Sequence, residues 1–117
     1  MTEITIDIAK DFSPTPNGRY RRNGPFSGEA FREEILKPAC DRYDQVRILL
    51  DTPDGFLYSF LDEAFGGLVR RFGPSIASKL VFVAIERAHL IQLIQDYIRT
   101  AAKMYRSNGA QKEAYLP

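Results

Sequence analysis

The chain has 117 residues, the size of one compact domain, which excludes repeat arrays and multidomain enzymes. Hydrophobic residues make up 44% and charged residues 26%, enough apolar material for a core and too little net charge for an expanded chain. With 16 Lys and Arg against 15 Asp and Glu the formal charge is +1, so no global field selects nucleic acid, an anionic membrane or an acidic substrate.

The first element is a strand: Ile4, Ile6 and Ile8 recur at period two between polar residues, the pattern of a half-buried face. From Asp11 to Ser27 three prolines, two glycines and two asparagines predict a long loop, with a short edge strand at Arg19–Arg22. Ser27 is then an N-cap, and Phe31, Ile35 and Ala39 at helical spacing predict a first helix that Pro38 kinks or ends. Val46–Asp51 is a nearly continuous apolar run, the sign of a central strand covered on both faces, closed by the turn Thr52-Pro53-Asp54-Gly55. Leu61, Ala64, Phe65, Leu68 and Phe72 predict a second helix that stops at Gly73-Pro74.

Lys79–Ile85 is a second apolar strand, and strand–helix–strand order from Val46 to Ile85 implies a parallel pair with a right-handed crossover. Leu90, Leu93, Ile94, Tyr97, Ala101 and Met104 predict a long amphipathic helix over residues 86–106, whose wide apolar stripe offers a surface for homodimerisation. The periodicity fades over residues 107–117, which reads as a flexible tail behind a single domain of residues 1–106. The expected fold is α/β: a small mixed sheet with parallel central strands, covered by about three helices.

Several chemistries are disfavoured. One cysteine, Cys40, and one histidine, His89, supply neither a disulfide nor a metal-ligand set, so no metal or other cofactor is expected. The amino terminus MTEITIDIAK carries no signal-peptide apolar run, which makes a cytoplasmic location the expectation. The longest apolar stretch, Leu80–Ile85, is far shorter than the roughly 20 residues that span a bilayer, so no membrane is expected. Nothing in the sequence forms a nucleophile, base and orienter, and adjacent Asp62 and Glu63 point in different directions on a helix, so no catalytic residue is assigned and no enzyme is expected.

Two places carry possible function. In a parallel sheet, ligands and modifications collect at the carboxyl ends of the strands, here Asp51–Leu61. Ser59 opens the second helix there, a position that suits a structural cap and equally a phosphate facing the positive end of the helix dipole. Phe56, Leu57 and Tyr58 either tuck into the core or face a partner. Gly66 and Gly67 each cost about 1 kcal/mol inside a helix, which calls for close packing on the sheet or a groove for a partner helix. The second place is Arg19-Tyr20-Arg21-Arg22, three guanidinium groups around one aromatic ring, which can hold phosphate or stack on a base.

Asp51-Thr52-Pro53-Asp54-Gly55-Phe56-Leu57-Tyr58-Ser59-Phe60-Leu61-Asp62-Glu63-Ala64-Phe65-Gly66-Gly67-Leu68, with its SFL-x-EAFGGL run, resembles the core of the bacterial STAS-like proteins. The likeness extends upstream to Asp11–Tyr20 and Gly24–Arg32 and covers most of the chain as far as about Ile98. It implies a regulatory protein–protein interaction module akin to anti-sigma-factor antagonists. In the wider STAS class a strand-ending aspartate precedes a serine that a partner kinase phosphorylates, and these positions fall on Asp51 and Ser59. The usual Asp-Ser-Ser-Gly turn reads Leu57-Tyr58-Ser59-Phe60 here. The resemblance thus implies a protein partner, a histidine-kinase-like ATPase acting as a serine kinase, meeting Asp51, Asp54, Gly55, Phe56, Leu57, Tyr58, Ser59, Glu63, Gly66 and Gly67. The alternative is a small phosphate-ligand or nucleic-acid module built on Arg19–Arg22.

Overall fold

In the computed structural model, which describes residues 2–115 and their side chains through residue 107, three strands alternate with three long helices among the described residues. β1 spans Glu3–Asp7, β2 Gln45–Leu49 and β3 Leu80–Val83. The sheet order is β1-β2-β3 and both pairings are parallel, with Ile6 opposite Ile48 and Ile48 opposite Phe82. The expected parallel pair is therefore present. The sheet is parallel throughout instead of mixed, because a helical crossover, not a hairpin, joins β1 to β2.

The first helix, α1, runs as α-helix over Gly28–Phe31, widens into a π-type turn over Arg32–Leu36 and resumes over Lys37–Arg42. Ser27 caps it as predicted, its Oγ accepting from the Ala30 amide at 3.1 Å. Pro38 does not end the helix. The widened turn covers Glu34, whose carbonyl a proline four residues on would otherwise strike. The second helix, α2, has the same plan: Tyr58–Leu61, a π-type turn over Asp62–Gly66, then Gly67–Phe72. The third, α3, is His89–Tyr115, so it continues past Arg106, where the loss of periodicity placed a tail; residues 116–117 lie outside the described residues.

Ile6, Ile8, Val46, Ile48 and Leu50 pack with Phe31, Phe60, Phe65, Leu68, Leu90 and Ile94 into one buried cluster, joined by Phe82. All of these strand residues share one sheet face. The opposite face, with Thr5, Arg47, Leu49, Val81 and Val83, does not join the core, so β2 is not covered on both sides. The cause is topological: strands added in one direction by right-handed crossovers put their helices on the same side.

The segment Arg19–Arg22 is not an edge strand. Arg21–Asn23 is a single 3₁₀ turn between two glycines with positive φ, Gly18 at 93° and Gly24 at 146°, and the loop binds the start of α1 through Glu29 N–H to the Arg19 carbonyl at 3.0 Å. No helix among the described residues is long and apolar enough to cross a membrane.

Candidate protein-interaction site

The turn after β2 is built by Thr52, whose Oγ1 donates to the Gly55 carbonyl at 3.0 Å, and by Gly55 itself at φ 76°. A Cβ at Gly55 would sit 2.9 Å from Nη1 of Arg87, whose Nη2 donates to the Pro53 carbonyl at 3.3 Å. Asp51 closes this end of the sheet: its carboxylate accepts from the Ile85 amide at 2.8 Å and the Glu86 amide at 3.1 Å. Asp51 is thus a latch between β2 and the chain leaving β3, and not a group held out for a partner.

Beyond the turn the three bulky residues part company. Phe56 stacks on Phe60 with ring centroids 5.5 Å apart, while Leu57 is 56% and Tyr58 63% exposed. Asp54 is also exposed. A shallow depression of about 360 Å³ lies against them, lined by Thr15, Pro16 and Asn17 on one side and Asp54–Leu57 on the other. Ser59 is not a cap: Leu57 occupies the cap position without any side-chain bond, and Ser59 sits one residue inside the first turn, half-buried, with no hydrogen-bond partner for its hydroxyl among the described residues.

Glu63, Gly66 and Gly67 point inward, which corrects their assignment to a partner surface. Arg32, only 2% exposed, donates through Nη1 to Glu63 Oε2 at 2.5 Å and to the Glu63 carbonyl at 2.8 Å. A side chain at Gly67 would fall on that guanidinium, and a Cβ at Gly66 would lie 2.7 Å from Asp62 Oδ1 and 3.6 Å from the Tyr97 carbonyl of α3. The two glycines therefore clear space for an ion pair and for helix packing, and no groove opens at them. The π-type turns of α1 and α2 carry the two members of this pair, Arg32 and Glu63.

Arg19 is bound into the same network, its Nη1 reaching Asp62 at 2.8 Å and Glu63 at 3.3 Å, and Arg70 reaches Asp62 at 3.1 Å. The hydrogen bond that Arg19 donates to Asp62 raises the Arg19 pKa further. Partial burial pushes the Asp62 carboxyl up, but hydrogen bonds from Arg19 and Arg70 outweigh it and hold the group below its ordinary 3.8. The predicted cluster is consequently divided: Arg21 lies 3.9 Å from Glu34, and Arg22 rests over the Tyr20 ring at 4.8 Å, occupying the face on which a base would stack. Cys40 is buried in the core, and burial pushes its thiol up to about 11.

The sequence reading missed the Arg32–Glu63–Asp62–Arg19–Arg70 network. Its signal was there: Glu63 falls one turn after Phe60 and one turn before Gly67, so a carboxylate stands on an otherwise apolar stripe and needs a buried partner. Arg32 stands in the same way between Gly28 and Leu36.

Comparison with curated proteins and with solved structures returns no match. The family model described as STAS-like domain of unknown function (DUF4325) matches residues 27–89, which take in α1, β2, the turn with Leu57 and Tyr58, α2 and β3. With more than half of its length matched, the chain belongs to this STAS-like family.

Proposed function

We propose that the protein is a regulatory protein–protein interaction module whose partner docks on Asp54, Leu57 and Tyr58, with Ser59 as the modification site that controls the contact. The observation that supports this most is the pair of bulky side chains left exposed at the carboxyl ends of the parallel strands, directly before an unpartnered serine hydroxyl in the first turn of α2. A phosphate on Ser59 adds about −1.5 to −2 charges at neutral pH. It would stand three and four residues before Asp62 and Glu63 on the same helix face, where Arg19 and Arg70 already neutralise the carboxylates. The added charge then falls beside the docking surface and makes it more negative without dismantling the network. The STAS resemblance supplies the class of partner: a histidine-kinase-like ATPase acting as a serine kinase.

Affinity capture from a lysate of the source organism, with wild type, Ser59→Ala and Ser59→Asp as baits, tests the switch. A protein retained by wild type and Ser59→Ala and lost with Ser59→Asp is the expected result, and equal retention by all three removes Ser59 from the function. Because Ser59 caps nothing, Ser59→Ala should unfold within about 0.5 kcal/mol of wild type, so its bait is a fair comparison.

A further inference from the structure

Among the described residues the outer edge of β3 carries unpaired main chain beside half-buried apolar side chains, with the exposed Ile85 just beyond it. The Leu50 amide donates to the Val83 carbonyl at 2.9 Å, which points Val83 toward β2; by alternation the N–H and C=O of Phe82 face away from the sheet. Natural edges are blunted by charge, proline or a bulge, and β1, at the opposite edge, carries Glu3 and Asp7. β3 has none of these: Leu80–Ile85 is uncharged, and Ile85 is 86% exposed. A depression of about 410 Å³ runs beside this edge, between Leu80, Val81 and Phe82 and the α3 residues Ile91, Gln95 and Ile98. An extended main chain matches such a site, because it alone offers alternating donors and acceptors at strand spacing.

Charge selects the occupant. Lys79 precedes the uncharged run and Glu86 follows it, and neither has an oppositely charged side-chain partner among the described residues; Lys79 Nζ instead donates to the Cys40 carbonyl. Antiparallel pairing with an identical strand brings the Lys79 end of each copy to the Glu86 end of the other, whereas parallel addition sets like beside like. We infer that β3 is the dimer contact of this protein, two copies joining edge to edge about a two-fold axis to form a continuous six-stranded sheet.

Leu80 and Phe82 both turn their main-chain groups outward, and centring the pair on Phe82 gives the longest overlap: Phe82 then lies opposite Phe82 of the second copy, and Val81 opposite Val83, on the sheet face that the helices leave open. This contact is distinct from the Leu57–Tyr58 surface and from the wide stripe of α3. A cross-strand charge swap tests it, with circular dichroism confirming the fold. Val81 and Val83 lie outside the core, and Glu at 81 neighbours Arg47 on β2, so the variants should fold.

In sedimentation, wild type is expected at twice the 13.3 kDa of one chain. Val81→Glu with Val83→Glu, which sets Glu opposite Glu across the axis twice, should sediment as monomer, and Val81→Glu with Val83→Lys, which pairs Glu with Lys twice, should stay dimeric. Monomeric wild type, a Glu–Glu variant that stays dimeric, or a Glu–Lys variant that is monomeric each overturn the inference.

Discussion

Arg32 and Glu63 show how a charge comes to rest in the core of a small domain. Taking either from water costs several kcal/mol, which is offset because Nη1 of Arg32 meets both the side chain and the carbonyl of Glu63 and its Nη2 donates to Glu33 at 3.2 Å. Glu63→Ala should therefore cost about 3 kcal/mol by taking the Nη1 carboxylate partner from a buried arginine that keeps only the partly exposed Glu33 as an ion pair, 3.2 Å from its Nη2, while Arg32→Met combined with Glu63→Met should lie much closer to wild type. Urea titration of the three proteins checks the contrast. Asp62 sets a pH dependence: its folded pKa lies below the ordinary value, so its contribution is present above that value and is lost as pH falls through the folded one. Asp62→Asn should flatten the acid limb of the stability curve, as measured by denaturation across that range. These pairings were only half legible in the sequence, which shows a charge on an apolar stripe but not the distant residue that answers it.

At the scale of elements the periodic signals were reliable wherever one face is buried. The alternation Ile4, Ile6, Ile8 and the spacing of Leu61, Ala64, Phe65 and Leu68 each gave the observed element, as did the Ser27 cap. Two of the readings at Pro38 and Ser59 do not hold, the helix end and the side-chain cap: α1 widens before its proline and continues, and α2 starts behind Leu57 with no cap bond. The apolar run of β2 suggested cover on two sides, yet Leu49 on the open face is only half-buried; run length alone does not tell a covered face from an uncovered one. The latch at Asp51 ties two elements that, as parallel neighbours, no hairpin joins at this end of the sheet. Asp51→Ala leaves the Ile85 and Glu86 amides without their acceptor and should cost about 1–3 kcal/mol. Hydrogen exchange should show faster opening at those two amides than in the core of α2.

For the whole molecule, the fold puts α1, α2 and α3 on one sheet face and collects the functional candidates at two places that face solvent: the carboxyl ends of the strands and the outer edge of β3. The third candidate, the arginine loop, is divided: Arg19 is held by Asp62 and Glu63, while Arg21 and Arg22 stay exposed, Arg21 near Glu34 and Arg22 over the Tyr20 ring. That division could not be read from the sequence, since Arg19 and Asp62 lie 43 positions apart and only the folded chain brings them together. The central claim is that Leu57 and Tyr58 form the docking surface. Affinity capture with wild type, Leu57→Asp and Arg22→Ala baits tests it most directly, because Leu57 is 56% exposed and its replacement leaves the core untouched. The account predicts a protein retained by wild type and Arg22→Ala and lost with Leu57→Asp; retention by Leu57→Asp at the wild-type level, or loss with Arg22→Ala, would contradict it.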